Sequence, residues 1–203
     1  MTRVKICGIT DLRDAAHAVE CGADAIGFIF AKSPRRISVK TASGICRAVG
    51  PWVATVGVFV NENADNILRV VSECRLSAVQ LHGDESASFI HRLSGCKVIK
   101  TFRVSEKVDL KNVVAYQADA YLFDSKVSRI YGGSGKSFDW RILRSETVPR
   151  PMILSGGLNP RNVKSAVRML KPYGVDVSSG VEKSPGHKDV KLMKKFIQNA
   201  KNN

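Results

Sequence analysis

Short apolar stretches of strand character alternate with stretches of helical periodicity along the whole chain, at intervals of about 20 to 30 residues. Eight strands are predicted, at residues 3–7, 24–30, 53–60, 77–82, 97–103, 119–124, 151–155 and 174–178. Strands that alternate with helices pair in parallel and are buried on both faces. Eight strand–helix units predict a closed (β/α)₈ barrel. The alternative is an open doubly wound sheet, which usually has fewer strands at this length.

The length of 203 residues suits one substantial domain and is short for two. We therefore expect residues 1–203 to form a single (β/α)₈ barrel catalytic domain. The longest apolar run, residues 53–60, is far shorter than the roughly 20 residues needed to cross a bilayer. No signal-like apolar block follows the first basic residues. We expect a soluble, cytoplasmic protein that does not contact membranes.

The five cysteines are odd in number and widely spaced, with no C-x-x-C pair and no zinc-ligand spacing. Free thiols in a reducing cytoplasm are the simplest account, and no metal site is predicted. The net charge is +14 at pH 7, but the Lys and Arg residues are scattered rather than gathered into a stripe. We expect no nucleic-acid partner, and the positive field favours a small anionic substrate.

Catalytic groups in a (β/α)₈ barrel come from the carboxyl ends of the strands and from the loops that follow them. Polar or small residues stand at several of those ends: Cys7, Gln80, His82, Arg103, Asp124, residues 155–157 and residues 178–180. Side chains alternate along a strand, so Lys5 shares the face of Cys7. Closure places the first and eighth strands side by side, and an unpaired buried charge is costly. Lys5 and Asp176 are therefore predicted to pair.

Two small-residue turns follow the last two predicted strands, LSGGLNP at 154–160 and DVSSGVE at 176–182. Glycine lets the backbone approach a ligand closely, and clustered N–H groups favour an anion. Phosphate sites in (β/α)₈ enzymes are frequently built from these two loops. Either turn alone is better explained as a tight connection, but the two together at this position predict a phosphate site.

A third glycine-rich stretch, IYGGSGKSFDW at 130–140, follows the sixth predicted strand. It lacks the leading glycine of a P-loop, so a nucleoside triphosphate site is not predicted. Its length suits a lid that brings Lys126, Arg129 and Lys136 near an anionic ligand. An ordinary exposed loop is an equal alternative.

Cys7 and Asp124 stand at strand ends that face the same barrel mouth. A buried cysteine is more often an apolar filler, and the aspartate has an alternative role as a cap. An acid and a base across one mouth nevertheless suit proton transfer in a bound substrate. His82 is either a third acid–base group or a satisfied loop residue. In AKSPRRIS, Arg35 and Arg36 either grip a carboxylate or belong to a solvated loop.

Together these stretches resemble one family, phosphoribosylanthranilate isomerase, which performs an Amadori rearrangement in the tryptophan pathway. The resemblance covers essentially the whole chain. Its segments are VKICGIT, GFIFAKSPRRIS, VGVFVN, AVQLHGDE, LFDSK, YGGSGKSFDW, LSGGLNPRNV and DVSSGVE. VKICGIT, QLHG and GGSGK with FDW are rather specific to that family, whereas SGG and SSG also suit other phosphate-binding barrels.

The resemblance implies a role for each matching position. Cys7 corresponds to the family's general base and Asp124 to its general acid. Arg35, or else its neighbour Arg36, corresponds to the residue that holds the anthranilate carboxylate. The phosphate-binding positions correspond to Gly156, Gly157, Ser179 and Gly180. We also expect His82 to contact the substrate.

The chemistry that the resemblance implies needs no metal and no organic cofactor. Asp124 would protonate the furanose ring oxygen of N-(5-phosphoribosyl)anthranilate, and Cys7, as thiolate, would take a proton from the resulting Schiff base. A free thiol, with a pKa of about 8.5, is mostly protonated at neutral pH, so we expect a neighbour to lower the pKa of Cys7. Lys5 is the first candidate, and the helix start after Thr10 is the second.

Two other functions stay open from the sequence. Another phosphosugar isomerase on the same barrel, such as the histidine-pathway isomerase, is expected to use paired carboxylates instead of Cys7 and Asp124. A catalytically silent barrel that serves as a binding module is the second alternative, and the two strand-end groups argue against it. The expected assembly is a monomer or a homodimer.

Overall fold

Eight parallel strands close into a barrel in the computed structural model, which describes residues 1–104, 110–125, 140–143 and 151–202. The strands are β1 (Arg3–Cys7), β2 (Ala25–Ile29), β3 (Ala54–Phe59), β4 (Ala78–Leu81), β5 (Val98–Val104), β6 (Ala120–Ser125), β7 (Met152–Leu154) and β8 (Gly174–Val177). Each strand ends within one residue of its predicted bounds. The (β/α)₈ barrel is confirmed, and the open sheet is wrong.

Helices surround the barrel: α1 (Leu12–Glu20), α2 (Val39–Ala48), α3 (Ala64–Cys74), α4 (Leu110–Ala115), α5 (Val163–Leu170) and α6 (Val190–Lys201). Side-chain oxygens accept backbone N–H bonds at the start of four of them, from Asp11, Ser38, Asn63 and Asp189. These caps explain where the helices begin. In the part of the chain that the structure describes, no helix is long and apolar enough to cross a bilayer.

The connection from β4 to β5 differs from a regular strand–helix unit, because its helix, Ala87–Leu93, is a 3₁₀ helix. A 3₁₀ helix rises about 2.0 Å per residue against about 1.5 Å in an α-helix. Seven residues in this form therefore cover more of the path back along the barrel. Two further short 3₁₀ helices occur at Trp140–Leu143 and Ser179–Val181.

The inside of the barrel has an apolar layer and a polar layer. The apolar layer is the small cluster of Ala120, Leu122 and Ile153, with Ile99 packed against it. Because side chains alternate along a strand, the next inward residues toward the carboxyl ends are polar. They include Thr101, Asp124 and Ser155, all buried, and the equally buried Lys5, Gln80 and Asp176. The polar layer is the floor of the barrel mouth.

A short antiparallel hairpin, β9 (Glu182–Ser184) and β10 (His187–Lys188), follows β8 at this mouth. The Thr10 hydroxyl, from the loop after β1, donates a hydrogen bond of 2.6 Å to the backbone oxygen of Gly186 in the hairpin turn. Asp14 of α1 accepts the backbone N–H of Lys188 at 2.7 Å. These bonds hold the hairpin beside the end of β1.

Candidate active site

A cavity opens at the carboxyl ends of the strands. It is lined by all eight residues that the sequence predicts for catalysis and substrate binding: Cys7, Arg35, His82, Asp124, Gly156, Gly157, Ser179 and Gly180. Arg36, the alternative to Arg35, has an exposed side chain and is not among the described residues that line the cavity. Arg103 also lies outside, where it pairs with Asp84.

Cys7 ends β1 at the cavity floor and is 5% exposed. Two positions before it on the same face, Lys5 Nζ lies 2.8 Å from Asp176 Oδ1 and 2.9 Å from Gln80 Oε1. The predicted pairing of Lys5 with Asp176 is therefore confirmed. Ser155 Oγ donates to the second oxygen of the Asp176 carboxylate at 3.2 Å, so both of its oxygens are engaged.

The expectation that a neighbour lowers the pKa of Cys7 is wrong in its net sign. Burial disfavours the thiolate and raises the pKa of Cys7 above its ordinary value. The positive charges of Lys5 and Lys188 act in the opposite direction, and the Asp176 carboxylate adds to the effect of burial. Lys5 itself is charged: burial opposes its charge, but Asp176 and Cys7 raise its pKa above the ordinary value. Lys5 reduces the cost of the thiolate without removing it.

Gly27 on β2 makes room for the Cys7 thiol. A Cβ atom at this position would lie 2.8 Å from Cys7 Sγ and 2.9 Å from Lys5 Cε. Both distances are shorter than normal carbon contacts, and both partners are held by the buried polar layer. A glycine is therefore needed beside Cys7.

Replacing Gly27 by alanine is expected to destabilise the fold by about 1–3 kcal/mol, because it overpacks a full site, and to lower turnover by displacing Cys7. Urea denaturation and steady-state assay measure the two effects. Gly44→Ala is the matched control, since nothing lies within 4 Å of a Cβ atom at Gly44 in α2. There alanine should stabilise the helix by up to about 1 kcal/mol. Wild-type stability in Gly27→Ala would contradict this account.

Gln80 determines which nitrogen of His82 carries the proton. Lys5 Nζ only donates, so the Gln80 atom that it contacts is the amide oxygen. The Gln80 nitrogen then lies 3.0 Å from His82 Nδ1 and 3.3 Å from Thr101 Oγ1. Because an amide nitrogen donates, His82 Nδ1 accepts, and neutral His82 carries its proton on Nε2. That nitrogen faces Asp124 Oδ2 at 3.4 Å.

Asp124 is 6% exposed at the end of β6. Among the residues that the structure describes, His82 Nε2 has no formed hydrogen bond, so its 3.4 Å approach to Asp124 is a loose contact rather than a closed one. His82 is therefore brought to the carboxyl group of Asp124 with its donor directed at one oxygen. Among the described residues, the second oxygen of Asp124 has no hydrogen-bond partner and faces the cavity.

The two predicted phosphate turns meet at one side of the cavity. Gly156 and Gly157 have φ angles of 83° and 67°, in the left-handed region that favours glycine. A Cβ atom at Gly180 would collide with the backbone oxygen of Leu158, so the two turns are packed directly against each other. The Ser178 hydroxyl is buried and, within the described ranges, has no hydrogen-bond partner. The surface presented to a ligand here is mainly backbone, which suits an anion.

Arg35 reaches the cavity from the loop after β2, and its guanidinium is paired with Glu182. Arg35 Nε lies 2.8 Å from Glu182 Oε1, and Nη2 lies 2.7 Å from Oε2. Lys188 Nζ lies 2.7 Å from the same carboxylate. Neither Glu182 nor Lys188 was predicted from the sequence to belong to the site. The only signal for them was the end of the DVSSGVE stretch and a lysine six residues later.

The predicted lid falls outside the described residues, apart from Trp140. Residues 130–139, with Lys136, lie in a part of the chain that the structure leaves undescribed, and so do Lys126 and Arg129. Within the described part, no group of three or more His, Cys, Asp or Glu side chains could hold a metal ion.

The chain is similar in sequence to known proteins of one family over nearly its whole length. It matches the family model of N-(5'-phosphoribosyl)anthranilate (PRA) isomerase over residues 4–199. It is 51% identical to the N-(5'-phosphoribosyl)anthranilate isomerase of Thermotoga neapolitana, over 99% of this chain and 99% of that protein.

Solved structures agree with this match. One contains monomers generated from the dimeric phosphoribosylanthranilate isomerase of Thermotoga maritima, with a TM-score of 0.88 and 44% identity. Another is a phosphoribosylanthranilate isomerase in complex with reduced 1-(o-carboxyphenylamino)-1-deoxyribulose 5-phosphate, with a TM-score of 0.89 and 45% identity. Each comparison covers 100% of both chains.

Proposed function

The chain belongs to the N-(5'-phosphoribosyl)anthranilate isomerase family, which makes it an isomerase of tryptophan biosynthesis, and we propose that Cys7 and Asp124 are its general base and general acid. The reaction is the Amadori rearrangement of N-(5-phosphoribosyl)anthranilate to 1-(2-carboxyphenylamino)-1-deoxyribulose 5-phosphate. One observation carries the assignment: a thiol and a carboxyl group stand on β1 and β6, across the barrel, and line the same cavity.

Ring opening is the task of Asp124. Its protonated carboxyl group gives a proton to the furanose ring oxygen while the bond between that oxygen and C1 breaks. The lone pair of the aryl nitrogen forms the C1–N double bond, and the nitrogen keeps its hydrogen, so the product is a protonated Schiff base. The Nε2–H of His82 faces Asp124 Oδ2 and stabilises the carboxylate left behind. We therefore assign His82 a place beside the acid and in contact with the sugar.

Proton abstraction is the task of Cys7. Its thiolate takes the proton from C2, and the electrons of the C2–H bond move into the C1–C2 bond as the nitrogen accepts the pair of the C1–N bond. The enolamine that forms then tautomerises to the aminoketose. Oxidation at C2 balances reduction at C1, so the enzyme is an intramolecular oxidoreductase of the aldose–ketose type. It needs no metal and no organic cofactor.

The high pKa of Cys7 has two opposing consequences. Fewer molecules hold the thiolate at neutral pH, but each thiolate is a stronger base toward a carbon-bound proton. The Lys5 ammonium, fixed between Asp176 and Gln80, keeps the thiolate accessible by its charge. Lys5 therefore tunes the base, and Cys7 makes the contact with the substrate.

Two anion grips hold the substrate between the acid and the base. The backbone of Gly156, Gly157, Ser179 and Gly180 binds the 5-phosphate, and Arg35 binds the anthranilate carboxylate. Their positions on the cavity wall support this arrangement. With both ends of the substrate fixed, C1, C2 and the ring oxygen lie between Cys7 and Asp124, so most of the catalytic effect comes from orientation.

Turnover of N-(5-phosphoribosyl)anthranilate, followed by loss of its anthranilate-type fluorescence, tests the assignment of both groups. Variants at Cys7 and Asp124 should bind the reduced product analogue like the wild type and fail to turn over. A variant at either position that keeps wild-type turnover would remove that residue from the mechanism.

Alkylation of Cys7 in the free enzyme is expected to become half-maximal only above pH 9. The sign follows from burial: the thiolate is the disfavoured form, so the reactive fraction at neutral pH is smaller than for an exposed thiol and grows as the pH rises. Iodoacetamide labelling, quantified at Cys7 by peptide mass spectrometry, measures the profile. The urea-unfolded chain is the control, and its Cys7 should titrate at lower pH, because the thiol is then exposed to water. Identical profiles would contradict the effect of burial.

We infer that residues 1–203 form one catalytic domain that works in the cytoplasm. We also infer a monomer or a homodimer. The dimeric form of the Thermotoga maritima relative supports the second possibility.

A further inference from the structure

Arg35 does not enter the cavity as a free cation, because one edge of its guanidinium is already bound. Its Nε and Nη2 atoms make two parallel bonds to the two oxygens of Glu182, at 2.8 and 2.7 Å. This is the side-on fork that a guanidinium offers to a carboxylate. The end-on edge, between Nη1 and the second hydrogen of Nη2, has no partner among the described residues.

From this geometry we propose that Glu182 and Lys188 are positioning residues that aim the free end-on edge of Arg35 at the substrate carboxylate. The inference rests on the proposed function in one respect, since it takes Arg35 as the carboxylate grip. It adds that the grip is prepared before the substrate arrives. The Arg35 and Glu182 side chains are only 11% and 4% exposed, so their arrangement is packed rather than solvated.

Lys188 adds a positive charge to the pair of Arg35 and Glu182. Arg35 and Glu182 together are neutral, and a neutral pair attracts a carboxylate weakly. Lys188, whose side chain is fully buried, adds a positive charge 2.7 Å from Glu182 Oε1. Burial raises the pKa of Glu182 on its own, but Arg35 and Lys188 outweigh it and lower that pKa below the usual value. Glu182 therefore stays ionised, and the cluster of three carries a net positive charge.

The cluster lies next to the base. A Cβ atom at Gly8 would be 2.8 Å from Arg35 Cδ and 3.0 Å from Ser178 Oγ, so the Arg35 side chain packs over the residue that follows Cys7. Lys188 also donates to the backbone oxygen of Ser178 at 3.3 Å. The hairpin that holds Glu182 and Lys188 therefore ties the carboxylate grip to the end of β8, where the phosphate turn begins. The hairpin therefore keeps Arg35, Cys7 and the phosphate turn at fixed distances from one another.

The test compares two inhibitors, the reduced product analogue and its counterpart without the carboxylate. The ratio of their dissociation constants, measured by calorimetry, isolates the contribution of the carboxylate. In the wild type this ratio should be about 10 to 100, the size expected for a charge-assisted bidentate contact. Glu182→Met/Lys188→Met removes one charge of each sign and leaves the net charge unchanged. Replacing a buried ion pair by apolar side chains is often tolerated.

In the double variant, the ratio should fall to about 1 to 3, while the dissociation constant of the inhibitor without the carboxylate stays unchanged. A merely structural role would weaken both inhibitors equally. KM should rise by a factor similar to the loss in ratio, with a smaller change in kcat. Lys183→Met, at an exposed position of the same hairpin, is the matched control and should change neither constant.

Arg35→Met separates this inference from its premise. One result would be a ratio of the dissociation constants that falls to about 1 in Arg35→Met and keeps its wild-type value in the double variant. That result would overturn the positioning role of Glu182 and Lys188 and leave Arg35 as the residue that binds the carboxylate. A wild-type ratio in Arg35→Met would overturn both. If the double variant does not fold, Glu182→Gln, which keeps the side-chain shape, decides by the same ratio.

Discussion

Replacement of Asp124 by asparagine is expected to lower kcat by about 10²- to 10⁴-fold, because the amide keeps the shape of the carboxyl group but has no acidic proton to give. Asp124 is buried at the end of β6 and faces the donor of His82, so the substitution changes little volume. The loss should appear in kcat and in kcat/KM together, since ring opening fails in the bound complex. The fluorescence assay measures both.

The matched control for Asp124 is Asp119→Asn. Asp119 comes directly before β6, at the opposite end of the same strand, and pairs with the exposed Lys97. It should keep wild-type turnover. Binding of the reduced product analogue to Asp124→Asn should remain within a few-fold of the wild type, since the substitution leaves both proposed anion-binding sites unchanged. Wild-type turnover in Asp124→Asn would contradict the assignment of Asp124 as the general acid. His82 would then be the next candidate for that role.

Replacement of Cys7 by serine is the second large effect, with kcat reduced by about 10²- to 10⁴-fold. A hydroxyl group is similar in size but far less acidic than a thiol, so no useful fraction of base forms in the buried site. Inhibitor binding should persist, because the proposed contacts to phosphate and carboxylate come from other residues. Steady-state kinetics and calorimetry on the same preparation provide the comparison.

Cys96→Ser is the control for Cys7. Cys96 lies in the turn before β5, is half-buried, and is not among the described residues that line the cavity. Its serine variant should turn over like the wild type. A Cys7→Ser enzyme with more than a tenth of wild-type kcat would show that another group takes the C2 proton.

The ion pair of Lys5 and Asp176 could be predicted from the geometry of the strands alone. Alternation placed both side chains inside the barrel, and closure made their strands neighbours. The register of β1 against β8 then sets them opposite each other. General barrel geometry was sufficient for this prediction, because alternation along a strand determines which side chains point into the barrel.

The error in the pKa of Cys7 has a different origin. A lysine two positions away on the same strand predicted a lowered pKa, and Lys5 does act in that direction. The size of the burial effect depends on how many atoms exclude water from the thiol. That quantity comes from packing around the whole barrel, including Gly27 on the neighbouring strand. It could not be read from the residues around position 7.

For Arg35, too, the sequence predicted one part of its role and the structure supplied the other. Its place in the loop after the second strand predicted a carboxylate grip, and the choice between Arg35 and Arg36 stayed open. The structure directs Arg35 into the cavity and leaves Arg36 exposed. Its partner Glu182 is 147 residues away along the chain, so no local pattern connected the two.

The sequence by itself determined the number, order and ends of the barrel strands, the glycine turns after β7 and β8, and the residues at the strand ends. These follow from periodicity, alternation and turn chemistry, which act between neighbours in the chain. Only the tertiary structure decided that Cys7 resists ionisation, that Gln80 determines which nitrogen of His82 carries the proton, and that Glu182, itself bound by Lys188, holds Arg35. Desolvation and ion pairing depend on which distant residues share one small volume, and a chain specifies that volume only by closing the barrel around it.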